Sequence, residues 1–280
     1  MKCDKSLVAE VGGSKPVFKL KDKTAFFFRA DLAVDADGAP RAYHPTNDKI
    51  ALDFKANGFP FALVRVNGKP VIQGSNDPAP GFFVSTTSLE DTTKAVTDPR
   101  RYADSETIPY IVLPPVLVGS GKARLGDFAV VINKKNGKSS FAIFADIGPK
   151  KNLGEGSIAL AKALDLKKDP KHGGPVADLI YIVFPGSNPN HTPKSQDEIN
   201  SKGAGAFAQW GGIEQLNACF GDWEEKFGCQ RLDSSLTRKL RTRNFFRLVV
   251  RVCYQRPIIF VPACKIATVT NSLPWCSVYY

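Results

Sequence analysis

Short runs of aromatic and β-branched residues, cut at close intervals by Gly, Pro, Asn or Asp, dominate this chain and leave little room for long helices. Phe26–Phe28 through Val34 reads as a buried strand bounded by an Asp37-Gly38 turn. A short strand is expected at 16–20, inside an otherwise basic and weakly patterned lead-in over 1–25. Residues 59–74 form a hairpin candidate with Asn67-Gly68 at its turn. Further strands are expected at 81–86, 108–113, 126–133 and 139–145, the last two joined by Asn136-Gly137. Leu179–Phe184 is a buried strand closed by Pro185-Gly186. Helices are few. One fits 46–57, although Ile50, Leu52, Phe54 and Ala56 blur its period, and Ser157 can cap another running through Ile158, Ala161 and Leu164. The pattern predicts a mainly β fold with peripheral helices and does not choose between sandwich and barrel.

At 280 residues and 43% hydrophobic, the chain can bury one substantial core. No stretch approaches the roughly 20 apolar residues of a membrane span. Met1 leads into KCDKSLVAEVGG, in which no apolar core of a secretory signal is visible. The net charge of +11 is unevenly spread, since residues 220–280 carry 10 Lys/Arg against 4 Asp/Glu. Cysteines cluster at the same end: Cys3 stands alone, while Cys219, Cys229, Cys253, Cys264 and Cys276 follow late. A boundary is therefore expected at 219, with 220–280 as a basic, Cys-containing tail and no disulfide framework before it. The tail reads either as a small appended module or as the product of a reading-frame change. Its RKLRTRNFFRLVVR (238–251) could also touch nucleic acid or an anionic surface. The absence of CxxC spacing argues against zinc.

The segment FAIFADIGPKKNLGEGSIALAKAL (141–164) carries the chemistry. Asp146 ends an apolar run and Glu155 precedes a small-residue helix, with Gly148, Pro149 and Gly154 turning between them. Two such carboxylates facing one cleft are the minimum for acid/base hydrolysis of a glycosidic bond. The structural alternative is that Glu155 helps cap the helix and Asp146 closes a turn. A helix N-terminus lowers a carboxyl pKa, whereas a general acid needs it raised. Burial against Phe144 or Ile147, or repulsion from Asp146, would have to outweigh the helix.

Several ordered blocks resemble glycoside hydrolase family 75, the fungal-type chitosanases and their bacterial relatives. They are RADLAVDADGAPRAYHP (29–45), GFFVSTTSL (81–89), RYADSETIPYIVLPP (101–115), GDFAVV (126–131), the two-carboxylate segment, YIVFPGS (181–187) and AFAQWGG (206–212). Together they span about residues 15–219. The resemblance implies a compact β-barrel of double-psi type with helices outside. It implies an inverting endo-hydrolase of chitosan or a related amino-sugar polysaccharide, secreted or held in the cell envelope. By the same resemblance Asp146 is the base and Glu155 the acid, with no cofactor or metal. The partners implied are the polysaccharide alone, with no membrane or nucleic acid, and the protein would be a monomer. A non-catalytic carbohydrate-binding protein on the same scaffold is the alternative.

Asp31, Asp35 and Asp37 would share one face if their stretch is extended. A row of carboxylates suits the ammonium groups of the implied substrate. The alternatives are a calcium loop, which lacks the EF-hand ligand pattern, or a plain hairpin end with Asp37-Gly38 as its turn. The net positive charge opposes a polycation at long range, but screening over about 8–10 Å leaves a local acidic cleft in control. Tyr43 can stack on a sugar face and His44 can hydrogen-bond hydroxyls, and packing explains both equally well. His172 and His191 read as exposed loop residues, Ser157 as a cap and not a nucleophile, and Trp210 as a core anchor beside a chain reversal.

Overall fold

A computed structural model describes residues 1–54, 62–172, 177–190 and 192–221. The chain divides into two compact units, Met1–Gly228 and Cys229–Tyr280, and the described residues all belong to the first. The fold is mainly β, as its turn-rich sequence predicts. Its strands are β1 (Lys5–Val11), β2 (Lys15–Leu20), β3 (Phe26–Ala30), β4 (Ala33–Asp35), β5 (Arg65–Val66), β6 (Lys69–Pro70), β7 (Tyr110–Leu113), β8 (Phe128–Asn133), β9 (Ser139–Ile147), β10 (Glu155–Ser157) and β11 (Leu179–Phe184). Among the described residues the α-helices are α1 (Pro115–Gly119), α2 (Ile158–Ala163), α3 (Gln196–Trp210) and α4 (Gly212–Phe220).

Nine strands form one sheet, curled into half a barrel, in the order β1-β2-β3-β11-β8-β9-β7-β10-β4. Most neighbours are antiparallel, but β7 pairs β9 and β10 pairs β4 in parallel. Both faces of the central strands are buried, while β1 at the edge is mostly exposed or half-buried. Phe26, Phe28, Leu179, Tyr181 and Val183 face one core with Ile158 and Leu160 of α2. Phe27, Ile180, Ile182 and Phe184 face a second core with Ile199 and Trp210 of α3. This double burial is why FFF and LIYIVF read as continuous apolar runs without alternation.

Local signals act as expected. Asn67 (φ 51) and Gly68 (φ 77) make the left-handed turn between β5 and β6. Ser157 accepts the Leu160 amide and caps α2. Trp210 is 2% exposed and packs on Phe207 and Phe27, with ring centroids 6.0 and 6.2 Å away.

Other expectations are corrected. No helix forms over 46–54, which is a run of turns and bends (55–57 lie outside the described residues). The Leu52 and Asp53 amides instead bond to the Arg41 and Ala42 carbonyls, so backbone pairing to a neighbouring segment wins over a weak helical period. The stretch 81–86 makes isolated bridges, Ile72 to Phe83 and Leu63 to Ser85, in place of a strand. The lead-in contains a full strand, β1, paired to β2. Cys3 is not alone: it is disulfide-bonded to Cys219 across a sequence separation of 216. The fold brings the N-terminal segment against α4, a proximity that cysteine spacing cannot reveal.

Candidate active site

Asp146 and Glu155 lie in one register row across the sheet. Asp146 of β9 is opposite Val112 of β7, and Val112 is opposite Glu155 of β10, which in turn is opposite Ala33 of β4. The register shifts between Ile111 and Val112, skipping Ala145 on β9, and this irregularity turns Asp146 to the face of Val112 and Glu155. The two acids are therefore same-face neighbours two strands apart. At a strand spacing of about 4.8 Å, their Cα atoms stand roughly 10 Å from each other.

The parallel pairing of β10 with β4 brings in the Asp-rich segment. Ser157 is opposite Asp35, so Asp35 shares the face of Ala33 and Glu155. Gly154 permits the approach: at φ +88, a Cβ there would sit 2.2 Å from the Asp31 carbonyl. Asp37 follows in the turn with Gly38 (φ +79), where a Cβ would meet the Ala103 carbonyl at 2.2 Å. Carboxylate oxygens of Asp35, Asp37 and Asp146 all lie within 4.8 Å of one another. Asp31 does not join them. It falls in the break between β3 and β4, and its carboxylate accepts the Ala177 amide at 2.9 Å.

Buried polar groups hold the cluster from beneath. Asp35 Oδ1 accepts the Asp37 amide at 2.9 Å. The Tyr110 hydroxyl sits 3.1 Å from Asp35 Oδ2 and 2.9 Å from the Asp37 carbonyl. The Tyr43 hydroxyl donates to Asp37 Oδ1 at 2.6 Å. At 4% exposure Tyr43 offers no ring face to a sugar, so its hydroxyl is its contribution. The Ser105 hydroxyl donates to the Asp35 carbonyl and accepts the Ile158 amide at 3.0 Å, tying β4 to the start of α2. Ser88 grips Asp146 from the loop before Leu89, through its amide at 2.9 Å and its hydroxyl. His44 is turned to its own loop, its Nδ1 accepting the Thr46 and Asn47 amides, and its ring meets Phe82 edge-on. His172 lies exposed beside Asp169, and His191 is outside the described residues.

Burial pushes every carboxyl of the group up, and neighbouring charges add to it at Asp35, Asp37 and Glu155. Asp35 rises to about 8, first through burial and then through Glu155. Asp37 rises well above the ordinary range through burial and then Asp35. Glu155 rises to about 7 through burial and the charge of Asp146. Asp146 also rises through burial, but three hydrogen bonds from Ser88 and Ile147 oppose the shift. Burial and Asp146 thus outweigh any pull of the helix on Glu155, which sits in β10, ahead of the cap Ser157. The arrangement offers one carboxyl able to hold a proton near neutral pH beside one whose upward shift three hydrogen bonds oppose.

The model of the fungal chitosanases of glycosyl hydrolase group 75 matches residues 74–216, just over half of the chain. The chain belongs to this family. No curated protein matches it. The match covers β7–β10 with Asp146 and Glu155, whereas Asp35, Asp37 and Tyr43 precede it and join through the β10–β4 pairing. Reading the sequence does not single out Ser88, Ser105 or Tyr110. All three lie inside resembling blocks, but as single letters they look like loop serines and strand filler.

Proposed function

We propose that this protein is an inverting endo-glycoside hydrolase that cleaves chitosan or a related amino-sugar polysaccharide, with Glu155 as general acid and Asp146 as general base. The observation that carries the reading is the single sheet row holding both carboxyls two strands apart, with Glu155 the one that keeps a proton near pH 7. Inverting enzymes hold their carboxyls roughly 6.5–9.5 Å apart to leave room for a water, and backbones spaced by two strands allow the side chains that range. Glu155 gives its proton to the leaving glycosidic oxygen as the bond to the anomeric carbon breaks. A water attacks that carbon from the opposite face and passes a proton to Asp146. The configuration inverts, and proton exchange with solvent restores both groups.

Asp35 and Asp37 form the wall that accepts a glucosamine ammonium, whose positive charge displaces the proton that burial and mutual repulsion hold there, and Tyr43 serves it through Asp37. Asp31 stands outside this wall. We read the half-barrel as double-psi type, supported by the two parallel pairs. The Cys3–Cys219 disulfide supports an extracellular or cell-envelope location. No described helix is long and apolar enough to cross a membrane.

The test is incubation with chitosan, chitin and soluble cellulose, reading products by mass spectrometry and their first-formed anomer by NMR. Asp146→Asn and Glu155→Gln should each lower turnover by about 10²–10⁴ with the fold intact. Near-wild-type turnover in either variant overturns the mechanism. Binding without any product from the unaltered chain would instead favour a non-catalytic carbohydrate-binding protein.

A further inference from the structure

The hydrogen bonds on Asp146 are one-sided. Its Oδ1 accepts the Ser88 amide at 2.9 Å, the Ile147 amide at 2.9 Å and the Ser88 hydroxyl. Among the described residues Oδ2 takes part in none of these bonds. The Ile147 amide also reaches Ser88 Oγ at 3.3 Å. That contact occupies the acceptor side of the hydroxyl and leaves its one proton for Asp146.

The groups facing Asp146 from other elements work against its charge. Asp35 and Asp37 face it from β4 and the following turn and Glu155 from β10, each a carboxyl whose charge would repel its own, while the Tyr110 hydroxyl of β7 is neutral. The donors from Ser88 and Ile147 are what favours the ionised form. Two of those three come from Ser88, and only the hydroxyl is specific to its side chain.

We infer that Ser88 is a positioning residue that anchors Oδ1 of Asp146, turns Oδ2 toward the attacking water and so makes Asp146, and not Glu155, the base. The inference rests on the acid and base roles proposed above. It predicts that removing one hydroxyl changes which carboxyl holds the proton without changing what binds. Ser88 is exposed, so the change leaves the core untouched.

The experiment is the pH profile of kcat/KM on a chitosan oligosaccharide for the full chain and its Ser88→Ala and Ser88→Thr variants. Its acid limb reports the base of the free enzyme. Losing one hydrogen bond to a charged group should move that limb up by about one pH unit in Ser88→Ala. It should lower kcat roughly tenfold at the optimum, with KM little changed. Ser88→Thr, which keeps the hydroxyl, should retain the wild-type limb. A carboxyl NMR titration of Asp146 in the Glu155→Gln protein, with and without Ser88→Ala, should show the same upward move without turnover. If Asp146→Asn is inactive but the limb and the titration stay put in Ser88→Ala, the role of Ser88 is overturned and the base assignment stands. A limb that moves as far in Ser88→Thr as in Ser88→Ala overturns that role equally. If Asp146→Asn turns over normally, both readings fall.

Discussion

Replacing Asp35 with Asn should flatten the pH dependence of folding stability between about pH 5 and pH 8. In the folded protein burial, then Glu155, holds Asp35 at about 8 against 3.8 for the free side chain. The folded state thus binds the proton more tightly than the unfolded chain. Stability from this group is complete below the unfolded pKa and is lost as pH rises toward 8. Glu155, raised to about 7 from 4.5, adds a slope of the same sign. Moving one carboxyl as far as Asp35 is worth up to about 6 kcal/mol. Asp35 is partly exposed and shares its proton with close carboxylates, so about 2–3 kcal/mol should separate pH 5 from pH 8 through this residue. Asn fits the site, since its Oδ1 can keep the Asp37 amide and its Nδ2 can donate to the Tyr110 hydroxyl. Urea unfolding at pH 5, 6.5 and 8, followed by the fluorescence of buried Trp210 and the other tryptophans, measures the slope in both proteins. Equal stability of the wild type at pH 5 and 8, or an unchanged slope in Asp35→Asn, would refute the claim that folding traps a proton in the cluster.

The same substitution, placed in the Glu155→Gln protein and studied by calorimetry, should weaken binding of deacetylated oligomers more than acetylated ones. Equal loss for both removes Asp35 from the substrate wall. A chain ending at Gly221 should be soluble, unfold cooperatively and give the same products as the full chain. The cut belongs there and not at Cys219, because Phe220 packs 5.4 Å from the Phe27 ring. An insoluble or inactive truncation, with the full chain active, would assign 222–280 to the domain.

The features legible along the chain are those whose physics is local. Turns at Asn67-Gly68 and Asn136-Gly137 depend on residues that tolerate positive φ, and Ser157 caps α2 through an amide three positions on. The buried strands announce themselves because a sheet covered on both faces needs apolar residues at every position. Asp146 and Glu155 stand out because their ordered surroundings resemble a known family, not because two carboxylates nine residues apart mean anything alone. By contrast α3 is hard to see in the sequence, although Ser195 and Glu198 form a capping box, because its mostly polar surface buries only Ile199, Gly203 and Trp210.

Tertiary structure decided everything that depends on which strands become neighbours. Parallel pairing of β10 with β4 sets Asp35 beside Glu155 across more than a hundred residues, and β7 spaces Asp146 from Glu155 by one intervening strand. It separates Asp31 from Asp35 and Asp37, since strand alternation ends where the strand ends. It also determines the proton affinities, because burial and the charge of a distant neighbour set a carboxyl's pKa, and neither is a property of adjacent letters. Ser88, Tyr110 and the Cys3–Cys219 bond share that origin: each acts through a partner that only the folded sheet brings within reach.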